Sequence, residues 1–410
     1  MPLPAPILAD TRKTVKETLL GRPGFCGGRP NEDHPVLENG HLYRVSFLDT
    51  VFKGIKTMAT EKKEVILSGI RPTGRLHYGN YFGALRHFIN LQEQGQECYY
   101  FIADYHALTT ISEHEDFYRQ TLEMLRTYVA CGLDPNKSVI YRQSDLPCTA
   151  ELTLLLGMIT NIGFLERGTT YKDKMNKQVE DNDLEGNPLS YGLLGYPLLM
   201  AADILIVRAD KVPVGDDQRQ HVEMAIDIAQ RFNYRFGETL KVPAATSREA
   251  LRLPGLDGAA KMGKTEHNTL DLLDDPQSVL KKIKGVQTTT DPLPLDTDSN
   301  DPDAVIPRMP TSLGVLYRLL NLLAPEDVYL DFLAKYRRGE KFYGTLKTTL
   351  AKYVSEFNAP IIERYNEPGN NDEFIIHFLR ENAKKVTPVA LETVESCRQA
   401  MGIGHSLYRA

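Results

Sequence analysis

The chain has no tryptophan among its 410 residues, and its five cysteines (Cys26, Cys98, Cys131, Cys148, Cys397) are scattered, with no Cys-x-x-Cys pair. That spacing argues against structural zinc and for a reducing compartment. No apolar run is long enough to span a bilayer. Positive charge is not in excess either: 48 Lys and Arg stand against 54 Asp and Glu, a net charge of −6. Any contact with nucleic acid therefore has to use a local basic patch, not the global field. What remains, with 42% hydrophobic and 25% charged residues, has the composition of a soluble globular protein of two or three domains.

The stretch around which the chain is organised runs from Val65 to Ala84, VILSGIRPTGRLHYGNYFGA. The apolar Val65-Ile66-Leu67 breaks at Ser68-Gly69, a turn with Pro72 and Gly74 follows, and Leu76-His77-Tyr78-Gly79-Asn80 opens a segment that reads as helix through Gln94. Strand, glycine-rich turn and helix N-terminus together make a phosphate site, because backbone N–H groups and the positive end of the helix dipole face the anion. Gly79 lets a ring or phosphate approach the backbone. His77 can donate to an oxygen on which negative charge grows.

Before this stretch, residues 1–60 are punctuated by Pro and Gly without a strong period, and Asp10, Glu17, Glu32 and Asp33 speak against a transit peptide. They are expected to be peripheral or disordered; Met58-Ala59-Thr60-Glu61 would serve as a start. After it, strands and helices alternate. Residues 98–103 form a continuous apolar run, 117–131 a helix, 138–142 a strand and 150–164 a helix, an order that implies a doubly wound parallel sheet with ligands at the strands' carboxyl ends. Asp104 and His106 follow such an end; His106 either lines a pocket or makes a structural hydrogen bond. The polar residues 171–190, with Lys172 and Lys174, read as a mobile loop.

Gly195-Tyr196-Pro197-Leu198-Leu199-Met200-Ala201-Ala202-Asp203 is the second strong signal, with Pro197 placed in the first turn of a helix. Met200 and Asp203 share a face, with Tyr196 one turn earlier. Asp203 stands alone in an apolar segment and needs a donor, either neighbouring backbone or a ligand N–H. Further on, Val212-Pro213-Val214 is a short strand and Gly215-Asp216-Asp217-Gln218 precedes a helix from Arg219 to Phe232; the two acids either cap that helix or hold a ribose. Gly258 to Thr265, GAAKMGKT, fits the P-loop expression residue for residue, which taken alone predicts an NTPase. Its context argues against that, since Leu251 to Asp257 carries two breakers and two charged residues where a buried strand belongs. From Pro276 helical periods dominate: 276–284, 312–323, 325–336, 343–356 and 373–401, with a long polar loop at 285–309.

His77-Tyr78-Gly79-Asn80 resembles the HIGH signature of class I aminoacyl-tRNA synthetases, and Lys261-Met262-Gly263-Lys264-Thr265 resembles their KMSKS signature, with Gly263 and Thr265 in place of serines. The flanks Ser68 to Gly74, the Tyr-Pro-x-Leu-Met-Ala-Ala-Asp segment and Val212 to His221 are similar to the bacterial tryptophanyl-tRNA synthetase family; a tyrosyl relative usually has a polar residue where Met200 stands. The resemblance covers roughly Glu64 to the C-terminus. It implies a Rossmann-like α/β catalytic domain over 61–275, a helical anticodon-binding domain over 276–410, and ATP-dependent, Mg²⁺-assisted activation of L-tryptophan for transfer to tRNA(Trp), in a cytoplasmic homodimer. Carried onto this chain, it implies catalytic roles for His77, Asn80, Lys174, Lys261 and Lys264. ATP is expected at Arg71, Pro72, Thr73, Gly79, Asn80, Gly215, Asp216, Asp217, Arg252 and the segment Lys261, Met262, Gly263, Lys264, Thr265. Tryptophan is expected at Leu67, Gly69, His106, Tyr196, Met200, Asp203, Val212, Val214 and Gln218, with Asp203 accepting the indole N–H. A P-loop NTPase and a non-catalytic synthetase paralogue are the rival classes.

Overall fold

The computed structural model describes residues 63–72, 75–109, 116–168, 171–173, 175, 190–247, 251, 253–263, 267–288, 295 and 297–405, together with two strands nearer the N-terminus. The chain forms two compact units, Met1–Lys62 and Lys63–Ala410. In the first, β1 (His34–Glu38) pairs antiparallel with β2 (His41–Val45), Glu38 opposite His41. This hairpin falls in the segment expected to be peripheral or disordered. The two residues between its strands are Asn39-Gly40, a pair strongly favoured in two-residue hairpin links.

The second unit is built on five parallel strands: β3 (Val65–Ile70), β4 (Glu97–Ile102), β5 (Val139–Arg142), β6 (Lys211–Val214) and β7 (Ala244–Ser247), in the spatial order β5-β4-β3-β6-β7. The order reverses at β3, so the sheet is doubly wound as the alternation of elements implied, and its ligand crevice belongs at the carboxyl ends of β3 and β6. Pairing there opens the crevice, because β3 and β6 are matched only at Ile66 opposite Lys211. That end is fastened by Asp210, whose Oδ2 accepts the Val65 N–H at 2.9 Å while its own N–H donates to the Val65 carbonyl at 2.8 Å. Beyond this clasp the two strands leave room between them.

Side chains alternate across the pleat and feed a core on each face. Ile66, Ile70, Tyr100, Ile102 and Ile140 enter one core; Leu67, Tyr99, Phe101 and Tyr141 enter the other. The longer helices are α1 (residues 78–93), α2 (Phe117–Ala130), α3 (Cys148–Gly157), α4 (Tyr191–Ile206), α5 (Asp216–Phe236), α6 (Pro276–Gly285), α7 (Thr311–Leu323), α8 (Glu326–Arg337), α9 (Tyr343–Tyr365) and α10 (Asp372–Ala400). The first core takes in α1, α2 and α6 to α9, and the second takes in α3, α4 and α5; α10 serves both, through Ile375 and Phe378 at one end and Val386, Ala390 and Val394 at the other. Of the C-terminal helices, α10 packs directly on β5, while α9 packs on α2 and brings α6 and α7 into the first core.

Three local differences from the sequence pattern have physical causes. Pro197 lies inside α4, not in its first turn, because Ser190 caps the helix earlier, its side chain accepting the Leu193 N–H. Helix α5 opens at Asp216, three residues before the expected Arg219, with Gly215 as its N-cap. Helix α9 runs past the expected Glu356 and through Pro360 to Tyr365, with Ile361 buried on its core face. The strand β7 and a short helix, Pro302–Val305, within the expected long loop were not anticipated.

Candidate functional site

At the carboxyl ends of β3 and β6 lies a cavity of about 440 Å³. β3 supplies Leu67 and Gly69, β6 supplies Val212 and Val214, α4 supplies Tyr196 and Met200, and α5 contributes Gln218, with His106 closing one side. Every residue expected at the amino acid except Asp203 is in this wall. Gly69 has a second reason to lack a side chain: a Cβ there would lie 2.8 Å from the Phe101 ring, which forms part of the cavity wall from β4. Arg71 and Gly215, expected at the nucleotide, stand on the same wall. Pro72 is buried beside it in sequence.

Asp203 sits one layer behind the wall, 3% exposed. Of the donors the sequence called for, the structure supplies two side chains. Gln143 Nε2 donates to both oxygens, at 2.9 and 2.8 Å, and His106 Nε2 lies 3.0 Å from Oδ2. The sense of the Gln143 amide is fixed by its other end, where Oε1 accepts the backbone N–H groups of Tyr105 at 3.1 Å and His106 at 3.4 Å. The turn carrying Gln143 is in turn tied down by Asp104, whose Oδ1 accepts the Ser144 N–H at 3.0 Å. Burial pushes the Asp203 carboxyl above its ordinary range, against the opposing pull of His106 and Gln143. Gln143 was missed by sequence reasoning: it stands in the polar run Arg142-Gln143-Ser144-Asp145, with no local signal to single it out.

Tyr196 lines the cavity, and its hydroxyl pairs with Nε2 of the buried His221 on α5. The ring of His106 meets Tyr196 edge-on, 6.1 Å between centroids. One aromatic wall therefore joins His106, Tyr196 and His221.

On the other face of the sheet, the two signature-like motifs meet. His77 precedes α1 and is 8% exposed; its N–H donates to Asn80 Oδ1 at 3.2 Å. A Cβ on Gly79 would lie 2.9 Å from His77 Cε1, 3.0 Å from Nδ1 and 3.6 Å from Met262 Cβ. Gly79 is thus needed where the His77 ring folds over the first turn, and Met262 packs against the same spot. The chain after the second motif returns to the first: the Tyr78 N–H donates to the Leu270 carbonyl at 2.9 Å, the Leu272 N–H to the Leu76 carbonyl at 3.0 Å, and His77 bridges Asp271. Residues Tyr81–Leu85 follow with π-type hydrogen bonding, an irregularity found mostly at functional positions in helices.

Lys261 is exposed and Met262 buried. Residues 253–263 form turns and irregular backbone, not a strand entering a helix, so GAAKMGKT lacks the frame a P-loop requires. Thr73, Lys174, Arg252, Lys264, Thr265 and the side chains of Asp216 and Asp217 lie outside the described residues. Among the described residues, no group of three His, Cys, Asp or Glu side chains is gathered to hold a metal.

A doubly wound sheet with an amino-acid-sized cavity at its switch point and two lysine- and histidine-bearing motifs joined across α1 is the frame of a class I synthetase. The family of class I tRNA synthetases for W and Y matches residues 59–358, and the chain belongs to it. It falls with the tryptophan–tRNA ligases of bacterial type: it is 41% identical over 342 residues to that of Porphyromonas gingivalis and 38% over 344 to that of Fusobacterium nucleatum, in each case over 83% of this chain and 99% of the relative. A crystal structure of tryptophanyl-tRNA synthetase from Campylobacter jejuni complexed with ADP and tryptophan is similar with a TM-score of 0.69 and 33% identity, over 82% of this chain and 99% of that one.

Proposed function

We propose that the cavity between β3 and β6 binds the side chain of L-tryptophan and that the chain joins tryptophan to tRNA(Trp) at the expense of ATP. The observation that carries this is the wall itself: Met200, Leu67, Val212 and Val214 offer apolar surface to an indole, and Asp203 lies behind His106 with its carboxylate already oriented by Gln143. A carboxylate has about four lone-pair sites, so the two partners leave Asp203 capacity to accept the indole N–H. An analogue without that N–H would leave the buried carboxylate short of a donor, which is a strong basis for rejection. Tyr196 and Gln218 take the α-amino end.

In the first step a tryptophan carboxylate oxygen forms a bond to the α-phosphorus of ATP, and the bond from that phosphorus to the bridging oxygen of pyrophosphate breaks. ATP enters as its magnesium complex, the metal travelling with the phosphates. Arg71, Pro72, Thr73, Gly79, Gly215, Asp216, Asp217 and Arg252 surround the nucleotide. His77, the Asn80 amide and the lysines Lys174, Lys261 and Lys264 neutralise charge as pyrophosphate leaves. In the second step a terminal ribose hydroxyl of tRNA attacks the acyl carbon and AMP departs. No side chain serves as a covalent nucleophile; position and charge carry the catalysis.

The exposed Leu154, Met158 and Ile162, each more than 60% accessible, lie at and just beyond the end of α3, and they support a homodimer. The described cysteines are buried and free, and no helix among the described residues is long and apolar enough to cross a membrane; both support a cytoplasmic enzyme. The test is ATP–pyrophosphate exchange with tryptophan, with tyrosine and with no amino acid. Exchange with tryptophan alone is expected. Exchange with tyrosine moves the specificity, and ATP hydrolysis without exchange overturns the reading. Because the chain has no tryptophan of its own, the emission of the bound ligand also reports entry into the cavity directly.

A further inference from the structure

Asn268 follows the KMGKT motif by three residues, is 3% exposed, and makes contacts that no role assigned so far uses. Its Oδ1 accepts the Gly263 N–H at 2.8 Å, and its Nδ2 donates to Asp257 Oδ1 at 2.9 Å and reaches the Lys261 carbonyl at 3.5 Å. Its own carbonyl accepts the Leu256 N–H at 2.9 Å. One side chain thus brackets Met262 from both sides, holding the residue before it and the residue after it. Met262 in turn donates its N–H to the Leu253 carbonyl at 3.3 Å and packs beside Gly79 and the His77 ring.

The surroundings are shaped to admit this amide. A Cβ on Gly255 would lie 2.2 Å from Asn268 Nδ2 and 2.4 Å from Asp257 Oδ1, so the glycine clears the space the pair occupies. Asp257 Oδ1 also accepts the Ala259 N–H at 2.9 Å, and Gly258 turns with φ +90°. Gly263, whose N–H Asn268 accepts, stands where the resembled signature has a serine. Glycine loses more backbone freedom on ordering than any other residue, so a motif with Gly263 at its centre needs an outside group to hold its backbone.

We propose that Asn268 is a positioning residue for pyrophosphate departure: it fixes the backbone on both sides of Met262 and so presents Lys261 to the phosphates. This rests on the functional reading above. It adds a residue outside both signatures and explains how the chain tolerates Gly263.

The experiment compares the full-length chain with Asn268→Ala, Asn268→Asp, Lys261→Ala and the Asn268→Ala/Lys261→Ala double variant in tryptophan-dependent ATP–pyrophosphate exchange. Ligand emission measures tryptophan affinity, and circular dichroism measures folding. Asn268→Ala is expected to lower kcat about 10- to 100-fold, the scale of a misplaced catalytic group, with tryptophan affinity unchanged. In the double variant the two losses should fall well short of multiplying, because Asn268 acts through Lys261. Asn268→Asp keeps the size and an acceptor for Gly263 but loses the amide donor, and it should also lose rate; it serves if the alanine variant does not fold. A folded variant with unchanged kcat, or losses that multiply in full, would overturn the role while leaving the synthetase reading intact. No exchange by the unaltered chain would overturn that reading first, and the role with it.

Discussion

Gln143 donates its side-chain amide to both oxygens of Asp203, at 2.9 and 2.8 Å, from the far side of the amino-acid cavity wall. A hydrogen bond to a charged group contributes about 1.5–3 kcal/mol, and this one also aims the carboxylate. Gln143→Leu removes the donor and leaves Asp203 with His106 as its remaining described partner. Tryptophan KM should rise about 10- to 100-fold on that energy scale, while KM for ATP stays near its original value. Parallel losses in both constants would mean that Gln143 holds the fold and not the specificity.

The elevated Asp203 pKa has a definite sign in both binding and stability. Burial favours the protonated form in the folded chain. The ionised acceptor should therefore be lost on acidification at a higher pH than for an ordinary aspartate, and tryptophan affinity should fall through that window. For stability the same group works the other way: its contribution is fully present below the unfolded pKa and declines as pH rises through the elevated folded value. Asp203→Asn, measured by ligand emission across pH, should weaken binding at neutral pH and abolish the acid step. A wild-type step that persists in the variant would assign it to another group.

How much of this was legible in the sequence depended on the range of the interactions. The buried strands β3 and β4 announce themselves as apolar runs, and Tyr196, Met200 and Asp203 share a helix face that can be counted off by hand. Gln143 is different, because its importance comes from Tyr105, His106 and Asp203 converging on it from two other elements, and a glutamine in a polar run after a strand carries no local mark. The strand β7, Ala-Ala-Thr-Ser, has weak β character and exists because Lys211 to Val214 offers it a parallel partner. Asn268 was hidden for a further reason: the eye stops at the motif's last hydroxyl, and the side chain that holds the motif's backbone comes after it.

Gly79 offers a test of the contact between the two signature-like motifs. Gly79→Ala places a methyl 2.9 Å from His77 Cε1 and 3.6 Å from Met262 Cβ, so the imidazole has to move off the first turn of α1. Overpacking of this kind costs about 1–3 kcal/mol. Displacing the His77 ring should lower exchange kcat about 10- to 100-fold, the scale of a misplaced catalytic group, with little change in tryptophan affinity, since His77, Gly79 and Met262 do not line the cavity. Loss of tryptophan binding with kcat retained would show that the motifs and the cavity are not separable in this way.

The last prediction concerns how the C-terminal helices hold the catalytic sheet. The Tyr78 hydroxyl, in the first turn of α1, donates to Asn358 Oδ1 on α9 at 2.9 Å. Asn358 is fully buried, and its Nδ2 donates to the carbonyls of Asp271 and Asp274 at 3.2 and 3.3 Å. Lys282 on α6 bridges the side chains of the same two aspartates, at 3.2 and 2.6 Å. One amide therefore joins the histidine-bearing motif, the return segment after KMGKT, and the helical region. Asn358→Leu keeps the branching but replaces the amide by methyls. The Tyr78 hydroxyl is left with the Val354 carbonyl at 3.4 Å, the Asp271 carbonyl with the Asp274 N–H at 3.3 Å, and the Asp274 carbonyl loses its Asn358 donor, a cost of about 1–3 kcal/mol for a buried group left unmade. Tyr78→Phe removes only the hydroxyl and leaves Asn358 its two carbonyls. Thermal unfolding should rank the variants wild type, Tyr78→Phe, Asn358→Leu, from most to least stable. Asn358→Leu should also reduce exchange at temperatures where it remains folded, because the strand bridge at His77 and Asp271 loses its support from α9. Equal stability of Asn358→Leu and wild type would show that the junction is a contact without consequence, and that the helices hold the sheet through their apolar faces alone.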